Sequence, residues 1–220
     1  MKTTFFTKFN FIPRILSSKK EGKVFEGVLH NTKFLQLKQT KSPSGTPWVY
    51  SHRTNTVPKT DNAVVIAPII HNEHGDTLVL LETRRPPMYA EQKAKTCIEF
   101  PAGLVADEKE GETAEQAIAK ELLEEVGYKA DVITINAQNV GSSPGLTSET
   151  STLAIAEISN DKIIKEPITD NGIIEKIHKI PFKDICPWLK SQELEGKSVA
   201  GSVYANLFFI FKKMLEMKGK

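Results

Sequence analysis

The chain has 220 residues, 40% hydrophobic and 25% charged, enough for one sizeable core with a smaller appended unit. Its 29 Lys and Arg against 27 Asp and Glu leave a formal net charge of +2, too balanced to make nucleic acid or a membrane surface the main partner. The two cysteines, Cys97 and Cys186, argue against a disulfide scaffold or a cysteine-based zinc site and fit a reducing compartment, and no apolar run approaches the ~20 residues that span a bilayer.

Residues 1–20 carry Lys2, Lys8, Arg14, Lys19 and Lys20 and no acid, interleaved with Phe5, Phe6, Phe9, Phe11, Ile12 and Ile15. This reads either as a plain basic tail or as a mitochondrial transit peptide, so the expected location is the cytoplasm, with the mitochondrion as the alternative. Residues 21–60 read as an antiparallel meander. Apolar positions alternate over Val24–Leu29 and Phe34–Leu37 on either side of His30-Asn31, and Ser42-Pro43-Ser44-Gly45 makes a second turn before Trp48. So small a sheet exposes its edges and is not stable alone, so it is expected to pack on a second subunit as a dimerisation element.

From residue 61 to 220 the strands lengthen. Ala63–Ile70 and Thr77–Arg85 are joined by the turn His74-Gly75-Asp76, and Cys97–Phe100 follows. A helix is predicted over Thr113–Val126, then strands over Asp131–Gly141, Ser151–Ser159 and Gly172–Phe182, and helices over Lys183–Leu194 and Ser198–Met217. The run Asn206–Phe211 reads as the buried face of the last helix. The pattern as a whole is α/β (α+β), a mixed sheet with helices on its faces.

The Thr113–Val126 helix places Glu121, Glu124 and Glu125 on one face, beside an apolar arc of Ile118, Leu122 and Val126. Like charges at that spacing cost a helix a few tenths of a kcal/mol per pair. Either water screens them, as on any solvated acidic face, or a cation sits among them. A hard divalent ion such as Mg2+ is held by one or two carboxylates together with water and substrate phosphates. The preceding Phe100-Pro101-Ala102-Gly103 loop offers a backbone carbonyl and free amides to the same place.

Gly103, Glu112 and the run Lys120-Glu121-Leu122-Leu123-Glu124-Glu125-Val126-Gly127-Tyr128 resemble the signature box of the Nudix family. Two positions depart from it: Glu112 stands three residues further from Gly103 than the pattern has it, lengthening the loop before the helix, and Lys120 replaces the usual Arg. Lysine keeps the charge and loses the bidentate fork, so its anchorage to a glutamate is expected to be looser. Beyond the box, "RRPPM", "CIEFPAGL", "SPGLTSE" and "WVYSHR" are similar to the ADP-ribose or ADP-sugar pyrophosphatase branch, a resemblance that covers most of the chain from about Lys23.

That resemblance implies a Nudix α/β/α sandwich with a mixed sheet, plus the small N-terminal antiparallel sheet, assembled as a homodimer in which the N-terminal sheet swaps over its partner. It implies Mg2+, with Mn2+ as the alternative, at the Ala102 carbonyl, Glu121 and Glu125, with Glu124 close by. Phe34 and Trp48 would sandwich the adenine, Arg53 and Arg85 would hold the diphosphate, and Val49, Glu99, Leu104 and Ser143 would complete the pocket. Among catalytic groups it implies Glu124 and a general base from a late loop, where Gly172 takes one expected Glu position; Asp170 is nearest, with Glu149 and Glu175 as rivals. The implied reaction is hydrolysis of a nucleotide sugar, ADP-ribose, to AMP and ribose 5-phosphate. A Nudix hydrolase of another nucleoside diphosphate derivative and a domain that binds ADP-ribose without cutting it are the alternatives.

Overall fold

The computed structural model describes residues 24–54, 63–106, 110–159, 161, 163–168 and 173–218; the basic segment 1–20 lies outside them. Near the N-terminus, β1 (Gly27–Asn31), β2 (Leu35–Lys41) and β3 (Pro47–Arg53) form the expected antiparallel meander. The first reversal is not at His30-Asn31, which belong to β1. It falls at Thr32, whose hydroxyl donates to the Leu35 carbonyl at 2.8 Å and accepts from the Leu35 amide at 2.9 Å. The second turn closes at Gly45, whose φ of +82° suits glycine.

The larger sheet is organised around β4 (Ala63–Ile70), whose unbroken apolar run is the signature of a strand covered on both sides. Its even-numbered residues Val64, Ile66 and Ile70 enter one core layer and its odd-numbered Val65, Ala67 and Ile69 the other. β9 (Thr150–Ile158) lies parallel to β4 along its whole length, and β8 (Val132–Gly141) pairs antiparallel with β9. On the other side, β5 (Thr77–Thr83) pairs with β4 only at Ile69–Leu78 and Ile70–Thr77, beside their turn, and the two strands then part. The wedge is filled by β6 (Cys97–Glu99), paired with β5, and β7 (Ala102–Leu104), paired with β4. β10 (Ile174–Pro181) pairs with β5, and the two-residue β11 (Ser198–Val199) runs parallel to β6.

Helices close both faces. α1 (Pro86–Gln92) begins on two prolines, and α2 (Ala114–Glu125) on a capping box in which Thr113 and Gln116 satisfy each other's backbone amides. α2 buries Ala117, Ile118 and Leu122 against the first core layer. α3 (Ile185–Leu194), entered through a 3-10 turn at Phe182–Asp184, and α4 (Gly201–Lys218) cover the second with Ile185, Leu189, Val203, Leu207 and Ile210. The predicted last helix therefore starts three residues late, because Ser198 and Val199 extend the sheet. The run Asn206–Phe211 is also divided: Asn206, Leu207 and Ile210 are buried, while Phe208 is 63% exposed.

One polar cluster is enclosed by these elements. The Glu82 carboxylate accepts from Thr96 at 2.7 Å, His178 at 2.9 Å and Lys197 at 3.0 Å, and the His178 ring stands 5.0 Å from that of Trp188. Burial raises the Glu82 pKa, but those hydrogen bonds outweigh it and hold the carboxyl at about 2. Burial lowers the His178 pKa, against the opposing pull of Glu82. Both groups are harder to protonate folded than unfolded, so the stability they supply is present above their unfolded values and lost on acidification. For His178 the loss begins below 6.5, and for Glu82 it runs from 4.5 down to about 2. In denaturant titrations, the deficit of Glu82→Gln relative to the parent should be full at pH 7 and shrink between pH 4.5 and 2; a pH-independent deficit would remove this role.

Candidate active site

Where β4 and β5 part, the chain crosses from β6 to β7 through Phe100-Pro101, and the Pro101 carbonyl accepts from the Ile66 amide at 2.9 Å. A cavity of about 670 Å³ opens at this wedge, walled by Ala63 and Val65 of β4, Glu99, β7 and the acidic face of α2. The burial of Ala117, Ile118 and Leu122 fixes the helix's rotation, so Glu121, Glu124 and Glu125 must line the cavity.

α2 lies very close to β7. A Cβ on Gly103 would overlap the Glu121 carboxyl, so that carboxyl occupies the space of the missing side chain. One turn on, Glu125 accepts from the Ala102 amide at 2.9 Å. Burial pushes the Glu125 carboxyl up to about 8; the Ala102 hydrogen bond opposes this and neighbouring Glu121 adds to it. Lys120 stands 3.7 Å from Glu112 and 3.4 Å from Glu121, a point-charge contact rather than a two-pronged one, while Glu112 also accepts from the Ala106 amide at 2.9 Å.

Two arginines face these carboxylates. Arg85, at the end of β5 and start of α1, donates from Nε to Glu99 at 2.8 Å. Arg53, at the end of β3, pairs with Glu149. It gets there because residues 146–148 run along the edge of β3: the Ser51 amide donates to the Leu146 carbonyl at 2.8 Å and the Ser148 amide to the Ser51 carbonyl at 3.2 Å. Arg53 thus lines the cavity of its own chain, whereas the resemblance places the N-terminal sheet over a partner's pocket.

The structure therefore gathers Ala102, Leu104, Glu121, Glu124, Glu125, Arg53, Arg85, Glu99 and Glu149 around one cavity. Other expected residues stand elsewhere. Phe34 is at the β1–β2 reversal, 66% exposed, with the Lys33 ammonium 5.0 Å from its ring centroid. Trp48 donates its indole N–H to the Gly145 carbonyl at 2.9 Å, and Val49 is exposed on β3. Ser143 uses its carbonyl to accept from the Leu146 and Thr147 amides, and it is Ser142 that lines the cavity. Glu175 is tied to Arg84, outside the cavity wall, and Asp170 lies outside the described residues. Ser151, Ile168 and Ser202 also line the cavity. Ser202 had no signal in sequence, because a serine in the first turn of a helix reads as a terminus.

Among the described residues, no group of three or more His, Cys, Asp or Glu side chains converges tightly enough to hold an ion unaided. Acid oxygens from Glu99 and α2 beside β7, with no His or Cys lining the described wall, instead suit a hard divalent ion whose shell is completed by water and ligand oxygens. A positive charge beside Glu121 and Glu125 would offset both the burial that raises the Glu125 carboxyl and its closeness to Glu121.

Residues 60–204 match the NUDIX domain. The ADP-sugar pyrophosphatase of Mus musculus is 28% identical over 189 residues, covering 82% of this chain and 83% of that protein. The ADP-ribose pyrophosphatase of Saccharomyces cerevisiae is 30% identical over 154 residues, covering 64% of this chain and 62% of the yeast protein. The GDP-mannose pyrophosphatase of Yersinia pestis is 27% identical over 143 residues, covering 64% and 70% respectively.

Gly103→Ala tests the close approach of α2. The added methyl should displace Glu121 and weaken divalent-ion binding by about tenfold or more, measured by Mn2+ titration, while the protein stays folded by circular dichroism. Unchanged Mn2+ affinity would show that Glu121 takes no part in holding the ion.

Proposed function

The chain belongs to the NUDIX domain family, and on that premise we propose that it hydrolyses the pyrophosphate bond of ADP-ribose or a related ADP-sugar, releasing AMP and, from ADP-ribose, ribose 5-phosphate. Nudix hydrolases use a divalent metal; here we assign Mg2+, with Mn2+ as the alternative. One observation carries this reading. Three carboxylates of α2 and two guanidinium groups, Arg53 and Arg85, face a single cavity large enough for a nucleotide sugar.

The chemistry follows from these groups. Arginine forks match the oxygens of a diphosphate and place its bridging bond beside α2. Glu121, Glu125 and the Ala102 carbonyl would hold the metal, which when bound neutralises phosphate oxygens and makes water more acidic. A cavity carboxylate takes the proton of the attacking water as one P–O bond of the pyrophosphate breaks. Glu124 and Glu149 line the same cavity and are candidates for this, Glu149 accepting from Arg53, with Asp170 as the third candidate.

We also propose a homodimer built on the N-terminal sheet. Leu35, Leu37 and Val49 share one face of this single-layer sheet and Val28 and Trp48 the other, each more than about 40% exposed, apolar surface of the kind that marks an interface. A monomer at micromolar concentration by sedimentation, still hydrolysing the substrate, would rule the dimer out as a requirement.

A substrate panel in Mg2+, read as phosphate after phosphatase coupling, should give the highest kcat/KM with ADP-ribose and AMP as product. Faster cleavage of GDP-mannose would reassign the substrate, and calorimetric binding of ADP-ribose without turnover would make the domain a binder. Glu125→Gln should reduce turnover to background. Of Glu124→Gln, Glu149→Gln and Asp170→Asn, the variant of the base should lose about 10²–10⁴-fold in kcat with little change in KM.

A further inference from the structure

Arg85 is held from two directions. Its own backbone is extended, at φ −102° and ψ 103°, as expected before Pro86, and Pro87 continues into α1. Its side chain is held through β5. Thr83, Arg85 and Glu99 share one side of the β5–β6 pair, because Thr83 is registered with Cys97 and Glu99 lies diagonally beyond it. The intervening Arg84 faces away and pairs with Glu175 on β10.

The hydrogen bonds on this side converge on one oxygen. Glu99 Oε2 accepts from Arg85 Nε at 2.8 Å and from the Thr83 hydroxyl at 2.7 Å. Thr83 is 2% exposed, and its hydroxyl also lies 3.3 Å from the Cys97 carbonyl, so it has no solvent partner to exchange with. Glu99 itself is mostly buried, whereas Arg85 stays open to the cavity. Of the five N–H donors of a guanidinium, this arrangement uses the Nε–H, on the side of the fork away from its tip.

From this geometry we infer that Thr83 and Glu99 are positioning residues that act through Arg85: they clamp its Nε side so that the terminal nitrogens point at the substrate's diphosphate. The inference rests on the reading of Arg85 as a diphosphate-holding group. Arginine loses much rotamer freedom when it binds, and a guanidinium already fixed loses less of it on binding. Glu99 then serves the pocket without touching the substrate, and Thr83 serves it from beneath the surface. The clamp is a ground-state device, so its loss should fall on binding rather than on the chemical step.

The test combines steady-state kinetics on ADP-ribose with calorimetric binding of ADP, a diphosphate probe that needs no turnover. Thr83→Val keeps the shape and removes the hydroxyl; it should raise the KM for ADP-ribose and the Kd for ADP by roughly five- to twentyfold, with kcat within about twofold. Thr83→Ser should restore both constants, and Thr83→Val should add nothing in an Arg85→Ala background. Glu99→Gln should follow Thr83→Val. Unchanged constants in Thr83→Val beside a crippled Arg85→Ala would overturn the clamp and leave the diphosphate reading standing. An equal effect of Thr83→Val with and without Arg85, or failure of Thr83→Ser to rescue, also overturns the clamp, since the change then acts through stability, which the melting temperatures will register. An Arg85→Ala protein that binds ADP normally overturns both readings.

Discussion

The cavity depends on how closely α2 lies against β7. Only a residue without a side chain fits beneath the Glu121 carboxyl, and only an amide left free by the β6–β7 crossing can meet Glu125. Burying carboxylates in this wall is unfavourable: burial first, and Glu121 beside it, push the Glu125 carboxyl up. The fold offsets that cost on the adjoining arc of the same helix, where Ala117, Ile118 and Leu122 are completely buried. The acidic and apolar arcs of α2 are two halves of one arrangement: the first is held in place by the second.

The parting of β4 and β5 adds the basic wall. Because their pairing ends two residues from the turn, the edges of both strands become available to β6 and β7, and the chain between them sets Glu99 and Arg85 opposite α2. Arg53 comes from a separate sheet, brought in by the segment that runs along β3. Docking a small meander in this way makes one wall of the cavity depend on a part of the chain with little core of its own.

Periodic segments were legible in the sequence. The α2 helix, the unbroken β4 run and the β8 and β9 strands depend on local pattern, and the structure has them within a few residues of the expected bounds. Features decided by neighbours were not legible. The predicted strand ends at Arg85 with nothing expected after it, yet proline suits a helix's first turn, and α1 begins at Pro86. Ser198-Val199 looks helical until β6 offers an edge to pair with. At the cavity, the carboxylates were legible because helical spacing places them, whereas Phe34, Val49 and Ser143 sit on turns and edges whose direction depends on what lies across from them. Glu175 faces Arg84, a partner far away in sequence and next to it only through the β5–β10 register.

The central position of β4 also bears on how the protein is made. β4 is buried on both sides and lies parallel to β9, so residue 63 finds its β9 partner only once residue 151 has been synthesised, and the second core layer is not covered until α4 is complete. Parallel pairings this distant close slowly, because loop-closure entropy must be overcome before any contact compensates for it. During translation the side of β4 that β9 will cover therefore stands as an open apolar edge, the kind of feature that chaperones bind and that self-associates when they do not.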